Sequence, residues 1–242
     1  FFADSAGVQA STIIYQDLFT GGTGSLNGAA PDTAVTIAGG SATATWNSTS
    51  GWNQNGEKPG TTAANAWLPF NPTSGNVYTL TLAVDLTNAN PSWAAIGFAT
   101  TANPSTTGEF WSSLGAEDPW MLIRGQTSGT LPTSTAGAYR AFSGNDASTP
   151  PTPGSDQEFL GNGPGIGGRA PSANPATESP ERFYDVIEIV LDTNTPFWKA
   201  SWFATNAQST IRQQLGSTYT FASNPAITHV GFGGSLNSTG DV

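Results

Sequence analysis

Asp185-Val186-Ile187-Glu188 holds the pair of acids whose spacing most invites an acid–base reading. A glycosidase-type cleft needs one carboxyl to protonate a leaving oxygen and a second to attack or to activate water. The surrounding Arg182 to Leu191 reads as a strand, and an odd separation along a strand puts the two acids on opposite faces. They cannot serve one cleft. Glu117-Asp118, beside Trp120, lies in a loop, where a solvated acid is the ordinary explanation. His229 is the only histidine and falls in the strand Ile227 to Phe232. A general base or metal ligand would use it, but with no second histidine and no neighbouring acid cluster it reads as an ordinary sheet position. A nucleophile elbow of the form Gly-x-Ser-x-Gly is absent. No convergent catalytic set emerges, and the chain is expected not to be an enzyme.

The aromatic residues suggest different chemistry. Trp46, Trp52, Trp93, Trp111 and Trp120 could make a flat platform for sugar rings, whose C–H faces stack on indoles. Trp67, Trp198 and Trp202 sit in strand-like apolar patterns and read as core. Trp52 and Trp111, both in loops, together with Trp120, are the candidate glycan-binding residues, and the reading requires Trp52 or Trp111 to stand exposed beside a groove. The glycine run Gly161-Asn162-Gly163-Pro164-Gly165-Ile166-Gly167-Gly168 is followed by Arg169-Ala170-Pro171. A phosphate loop would instead end in Gly-Lys-Ser/Thr and open a helix. Asn47-Ser48-Thr49 and Asn237-Ser238-Thr239 have the glycosylation acceptor pattern, common by chance in a chain so rich in these residues.

The elements that must position these side chains read as strands throughout. Val77 to Leu86 alternates apolar Tyr78, Leu80, Leu82, Val84 and Leu86 with small or polar residues, a period of two that marks one buried and one wet face. Thr87-Asn88-Ala89-Asn90-Pro91 supplies turn chemistry, and Trp93 to Ala99 is a second strand, more apolar throughout. These two are expected to form a central hairpin. Further strands are expected over 11–19, 34–38, 41–46, 66–70, 119–124, 138–142, 182–191, 197–205, 209–215, 216–221 and 226–232. Gly39-Gly40 suits a two-residue hairpin turn between its flanking strands. Nowhere do apolar residues recur at i, i+3, i+4, i+7 over three turns, so very little helix is expected. The pattern points to an all-β, antiparallel β-sandwich or jelly roll, with a closed barrel as the weaker alternative.

Composition narrows the function classes. The 242 residues carry seven basic and seventeen acidic side chains, a net charge of −10 that would repel a polyanionic backbone and argues against nucleic acid as a partner. Cysteine is absent, which removes disulfides and thiolate metal sites. No run of eighteen apolar residues occurs to span a membrane. Val8-Gln9-Ala10 before Ser11 has the small-x-small form of a signal-peptidase site, preceded by Phe1-Phe2-Ala3. Residues 1–10 are therefore expected to be an export-segment remnant or an N-terminal extension that could serve as a donor strand, and residues 11–242 a single β-sandwich domain that could lack its last strand.

Several segments resemble bacterial exported domains with a concanavalin/laminin-G-like jelly roll, of the type found in PEP-CTERM-sorted proteins. They are Ile14 to Phe19 with Leu26 to Asp32, Ala66 to Phe70 with Val77 to Leu80, Trp93 to Phe98, Pro119 to Arg124, Phe159 to Gly161, Ile189 to Thr193 and Val230 to Gly233. The resemblance implies a fold and an extracellular or cell-surface setting, and no activity. The Glu-x-Asp-x-x-Glu pattern of laminarinase-like glycosidases is missing. In the family the phrase resembling Ser238 to Val242 runs on into a last strand that pairs near the first; here it stops, and the expectation is either that the chain is incomplete or processed or that an edge is left open for a strand from another molecule. Phe1, Phe2, Ile13 and Tyr15 of the N-terminal segment are the candidate assembly residues. Calcium is the metal this fold class most often carries, and Asp17 and Asp241, near the two ends that the family brings together, are its candidate ligands.

The expectation is thus an extracellular structural or adhesive subunit whose partners are copies of itself, assembling by strand exchange. A carbohydrate-binding module with a polysaccharide partner is the first alternative, and a polysaccharide-degrading enzyme the second.

Overall fold

A computed structural model describes residues 11–49, 51–58, 64–83, 93–100, 119–124, 139–143, 186–205, 212–235 and 240–241. Among these there is no helix; every regular element is a strand, and every pairing is antiparallel. In chain order they are β1 (Tyr15–Gln16), β2 (Thr33–Ala34), β3 (Asn47–Ser48), β4 (Glu57–Lys58), β5 (Ala64–Pro69), β6 (Val77–Ala83) and β7 (Trp93–Ala99). There follow β8 (Pro119–Arg124), β9 (Tyr139–Ser143), β10 (Val186–Asp192), β11 (Lys199–Thr205), β12 (Arg212–Thr220), β13 (His229–Ser235) and β14 (Gly240–Asp241).

Two larger sheets dominate, one of six strands in the order β3-β5-β13-β7-β8-β9 and one of four in the order β12-β11-β10-β6. Period-two alternation builds each of them. In β10, Ile187, Ile189 and Leu191 are fully buried while Val186, Glu188, Val190 and Asp192 lie on the other face. In β6, Tyr78 and Leu82 are buried between exposed Val77, Thr79, Thr81 and Ala83. These residues share one hydrophobic cluster with Ala66, Leu68, Ile96, Phe98, Met121, Val230 and Phe232 of the six-stranded sheet. The sheets are also tied by a buried hydrogen bond, the Trp202 indole N–H of β11 donating to the Trp120 carbonyl of β8 at 3.0 Å.

The expected central hairpin is not formed. β6 pairs with β10 and β7 pairs with β13 and β8, so the chain between them passes from one sheet to the other. Turn residues mark where a chain reverses; which strand becomes its neighbour depends on burial partners more than a hundred residues away. The two strands expected over 209–215 and 216–221 are one element, β12, whose register against β11 shifts between Ala200 and Trp202. The glycine pair also behaves differently. Gly39 takes a positive φ of 101°, but the flanking segments do not pair with each other. Gly39 instead docks on Asn71, whose N–H donates to its carbonyl at 3.0 Å.

The segment from Asp17 to Lys58 closes one end of the core with aromatic rings. Phe232 of β13 is the hub: Trp46, Trp52 and Phe19 stand edge-on to it at 5.4, 4.9 and 5.5 Å between centroids. Phe19 is held at φ 51°, a conformation that non-glycine residues rarely adopt, with its N–H bonded to Asp17 two residues back.

Candidate functional site

Edges of the two sheets differ in how they could meet another molecule. β3 is two residues long, and β12 carries the register shift together with Arg212. Arg212 lies over the Phe203 ring at 3.4 Å and forks onto Glu188, its Nε 3.0 and 3.1 Å from the two carboxylate oxygens. Short strands, irregular register and edge charges are the devices that discourage strand addition. β6 has none of them. It is seven residues of Val-Tyr-Thr-Leu-Thr-Leu-Ala with no proline, no charge and an unbroken register against β10 from Val77↔Asp192 to Ala83↔Val186. Among the described residues it has a neighbour on one side alone. Val77, 55% exposed, begins it, and Phe197, 56% exposed, lies in the β10–β11 turn at the same end of the sheet.

The residues picked out in the sequence are placed as follows. Trp52 is only 2% exposed and packs against Phe232, so it offers no face to a sugar; this corrects the expectation that it borders a groove. An indole in an Asn/Gly-rich loop reads as accessible, but this loop folds over the core and uses it as a plug. Trp120 is equally buried. Trp111, Phe1 and Phe2 lie outside the described residues, as do Asp185 and the Glu117-Asp118 pair. Ile13 is 53% exposed, while Tyr15 is engaged in its own fold: its hydroxyl donates to the Pro69 carbonyl and accepts from the Ser41 N–H, both at 2.7 Å. Burial raises the Tyr15 pKa against the effect of the Ser41 bond. Tyr15 is therefore a clasp and not a free assembly contact.

Asp17 is a double acceptor. One carboxylate oxygen takes the Phe19 N–H at 2.8 Å and the other the Trp46 indole N–H at 2.7 Å. Burial raises its pKa, opposed by these two bonds and reinforced by Asp32, which itself accepts the Leu18 N–H at 2.8 Å. Calcium wants six to eight oxygen ligands. Both Asp17 oxygens already serve N–H donors, and among the described residues no three acidic or histidine side chains converge. The backbone of Asp241 pairs with Glu57 in the small β14–β4 ladder; its side chain lies outside the description. His229 is half-buried, its pKa lowered by burial, with Nδ1 2.7 Å from the Thr228 hydroxyl.

A feature that residue spacing does not reveal lies on the outer face of the six-stranded sheet. Cross-strand partners share a face, and one row there runs Trp120, Gly97, Gly231, Trp67. The next row contains Ala95, Gly233 and Asn65. Asn65 is fully buried, yet neither its amide oxygen nor its amide nitrogen has a hydrogen-bond partner among the described residues. A polar residue between Ala64 and Ala66, just ahead of the strand that the sequence places from Ala66, is its one signal. No protein-family model matches the chain, and no curated protein matches it in sequence.

Proposed function

We propose that this chain is an extracellular, non-enzymatic structural or adhesive domain of jelly-roll sandwich fold that joins copies of itself by strand addition along β6. The open edge carries the reading: seven regular residues whose outward backbone groups face no strand among the described residues. Unpaired backbone N–H and C=O groups at such an edge are a template for another strand, the main-chain bonds giving affinity and alternate side chains giving specificity. Exposed Val77 and Phe197 at one end of the same sheet add apolar surface for a partner to cover. The sandwich reading is supported by the two sheets sharing one core and by the chain crossing between them at β5–β6, β6–β7, β9–β10 and β12–β13. The low charge content and the Ser/Thr/Asn/Gly-rich surface support the extracellular setting.

The test is the assembly state of the purified chain, by light scattering and negative-stain microscopy, beside a Thr79→Lys/Thr81→Lys double variant. Both threonines are exposed, and Thr81 stands across from Glu188, so lysines fit the fold while blunting the edge. Oligomers or filaments that dissolve in the variant are expected. A wild-type chain that stays monomeric at every concentration overturns the proposal.

A further inference from the structure

The seven residues of β6 are nearly self-complementary about their centre. Two antiparallel copies of Val77-Tyr78-Thr79-Leu80-Thr81-Leu82-Ala83, related by a two-fold axis through Leu80, would pair Val77 with Ala83, Tyr78 with Leu82, Thr79 with Thr81 and Leu80 with its own copy. Each pair joins residues of the same face, so exposed meets exposed and core-facing meets core-facing. Threonine opposite threonine and apolar opposite apolar are stabilising cross-strand pairs. Burial along the strand has the same symmetry. Val77, Thr79, Thr81 and Ala83 are exposed and Tyr78 and Leu82 are buried, while Leu80 between them packs on the core yet is only partly buried. Its cross-strand neighbour on β10, Ile189, is fully buried, which leaves the flank away from β10 as the open one. A second Leu80 arriving on the axis covers it.

The other edges among the described residues match β6 less well. β1, β2, β3, β4 and β14 are two residues long, β9 is five and carries Arg140, and β12 has its register shift and Arg212. Long, regular and uncharged, β6 has its best counterpart in another β6. The sheet that it borders is also electrically balanced. Its charged residues are Glu188 and Asp192 on β10, Lys199 on β11 and Arg212 on β12. Arg212 forks onto Glu188, and Lys199 stands across from Asp192. In a chain of net charge −10 this sheet carries none of the excess, so copies that approach along it meet the least repulsion.

We infer that the partner strand at the β6 edge is β6 of a second copy, antiparallel about a two-fold axis at Leu80, so that two four-stranded sheets become one and assembly stops at the dimer. This rests on the reading of β6 as an assembly edge and adds the partner strand, the register and the closure. An isologous contact of this kind occupies both edges and leaves neither for filament growth.

The chain has no cysteine, so an introduced thiol reports its own neighbourhood alone. Thr79→Cys and Thr81→Cys change exposed side chains. A disulfide needs Cα atoms within about 7 Å. Directly opposed residues of antiparallel strands lie about 4.5–5.5 Å apart, whereas in this register each thiol meets its own copy only on the diagonal, at roughly 7–8 Å. Mild oxidation of an equimolar mixture of the two variants should therefore give cross-linked dimer on a non-reducing gel. Either variant alone should give far less, and Thr220→Cys, exposed on β12, should stay monomeric. Wild type in sedimentation velocity should stop at the dimer. A monomeric wild type together with no cross-linking in the mixture overturns the β6 reading and this inference at once. Larger oligomers or filaments that dissolve in Thr79→Lys/Thr81→Lys leave that reading standing and overturn the two-fold closure. Cross-linking of either variant alone as strong as that of the mixture overturns the register, and so does a wild-type dimer whose mixed variants fail to cross-link.

Discussion

Single side chains here are chosen by how many donors they must satisfy. Asp17 accepts the Phe19 N–H with one oxygen and the Trp46 indole N–H with the other, so two acceptors are needed at that position. Asn has one acceptor and presents an NH₂ group where the second should be. Asp17→Asn should therefore destabilise the chain by about 1–2 kcal/mol in denaturant titration, although it removes a carboxylate that burial disfavours. An unchanged midpoint would mean that the two bonds contribute nothing. His229 tests the opposite kind of group. Burial lowers its pKa below the ordinary 6.5, so the folded state resists taking a proton that the unfolded chain accepts. Its contribution to stability is complete above that ordinary value and is lost as pH falls through the lowered one. Between about pH 8 and pH 5 the unfolding temperature of His229→Gln should fall less than that of wild type; parallel curves would remove His229 from the acid response.

Elements show which part of the fold the sequence reveals. The strands β6, β7, β8 and β9 lie close to where alternation and apolar runs place them, because those signals are local. Partnership was not legible: β6 and β7, joined by good turn residues, end in different sheets, and β6 finds β10 across more than a hundred residues. Trp52 is hidden from the sequence for the same reason, since it takes Phe232 of β13, far along the chain, to help make its loop a lid on the core. Asn65 was missed because an orphaned amide is a property of surroundings and not of spacing. The turn at Gly39 allows a prediction at this scale. Gly28 and Gly39 both hold positive φ, at 84° and 101°, yet a Cβ on Gly28 would meet nothing within 4 Å, while one on Gly39 would fall 2.0 Å from the Asn71 carbonyl oxygen. The backbone strain alone costs roughly 1–3 kcal/mol for an alanine at either site. Gly39→Ala should be clearly the more destabilising, because it also breaks the docking of this turn on the start of the β5–β6 connection. Equal losses would show that the Gly39 contact yields without cost.

At the scale of the whole molecule, the proposed assembly works against the charge of the chain. Each copy carries a net charge of −10, and the β6 edge itself is uncharged, so like-charged bodies must be brought together by backbone hydrogen bonds and apolar contacts alone. Screening then decides the balance. Raising ionic strength from about 0.01 M to about 0.15 M shortens the Debye length from roughly 30 Å to roughly 8 Å. That removes much of the repulsion between copies and leaves short-range edge pairing nearly untouched. Sedimentation velocity should accordingly show association strengthening with salt, and the Thr79→Lys/Thr81→Lys variant should remain monomeric at both ionic strengths although it is less negative by two charges. The contrast separates mechanisms: if net repulsion alone limited association, the two lysines would promote it, whereas an edge that must pair backbone to backbone is blocked by them. Association that weakens with salt would instead require complementary charges at the contact, and the β6 edge supplies none.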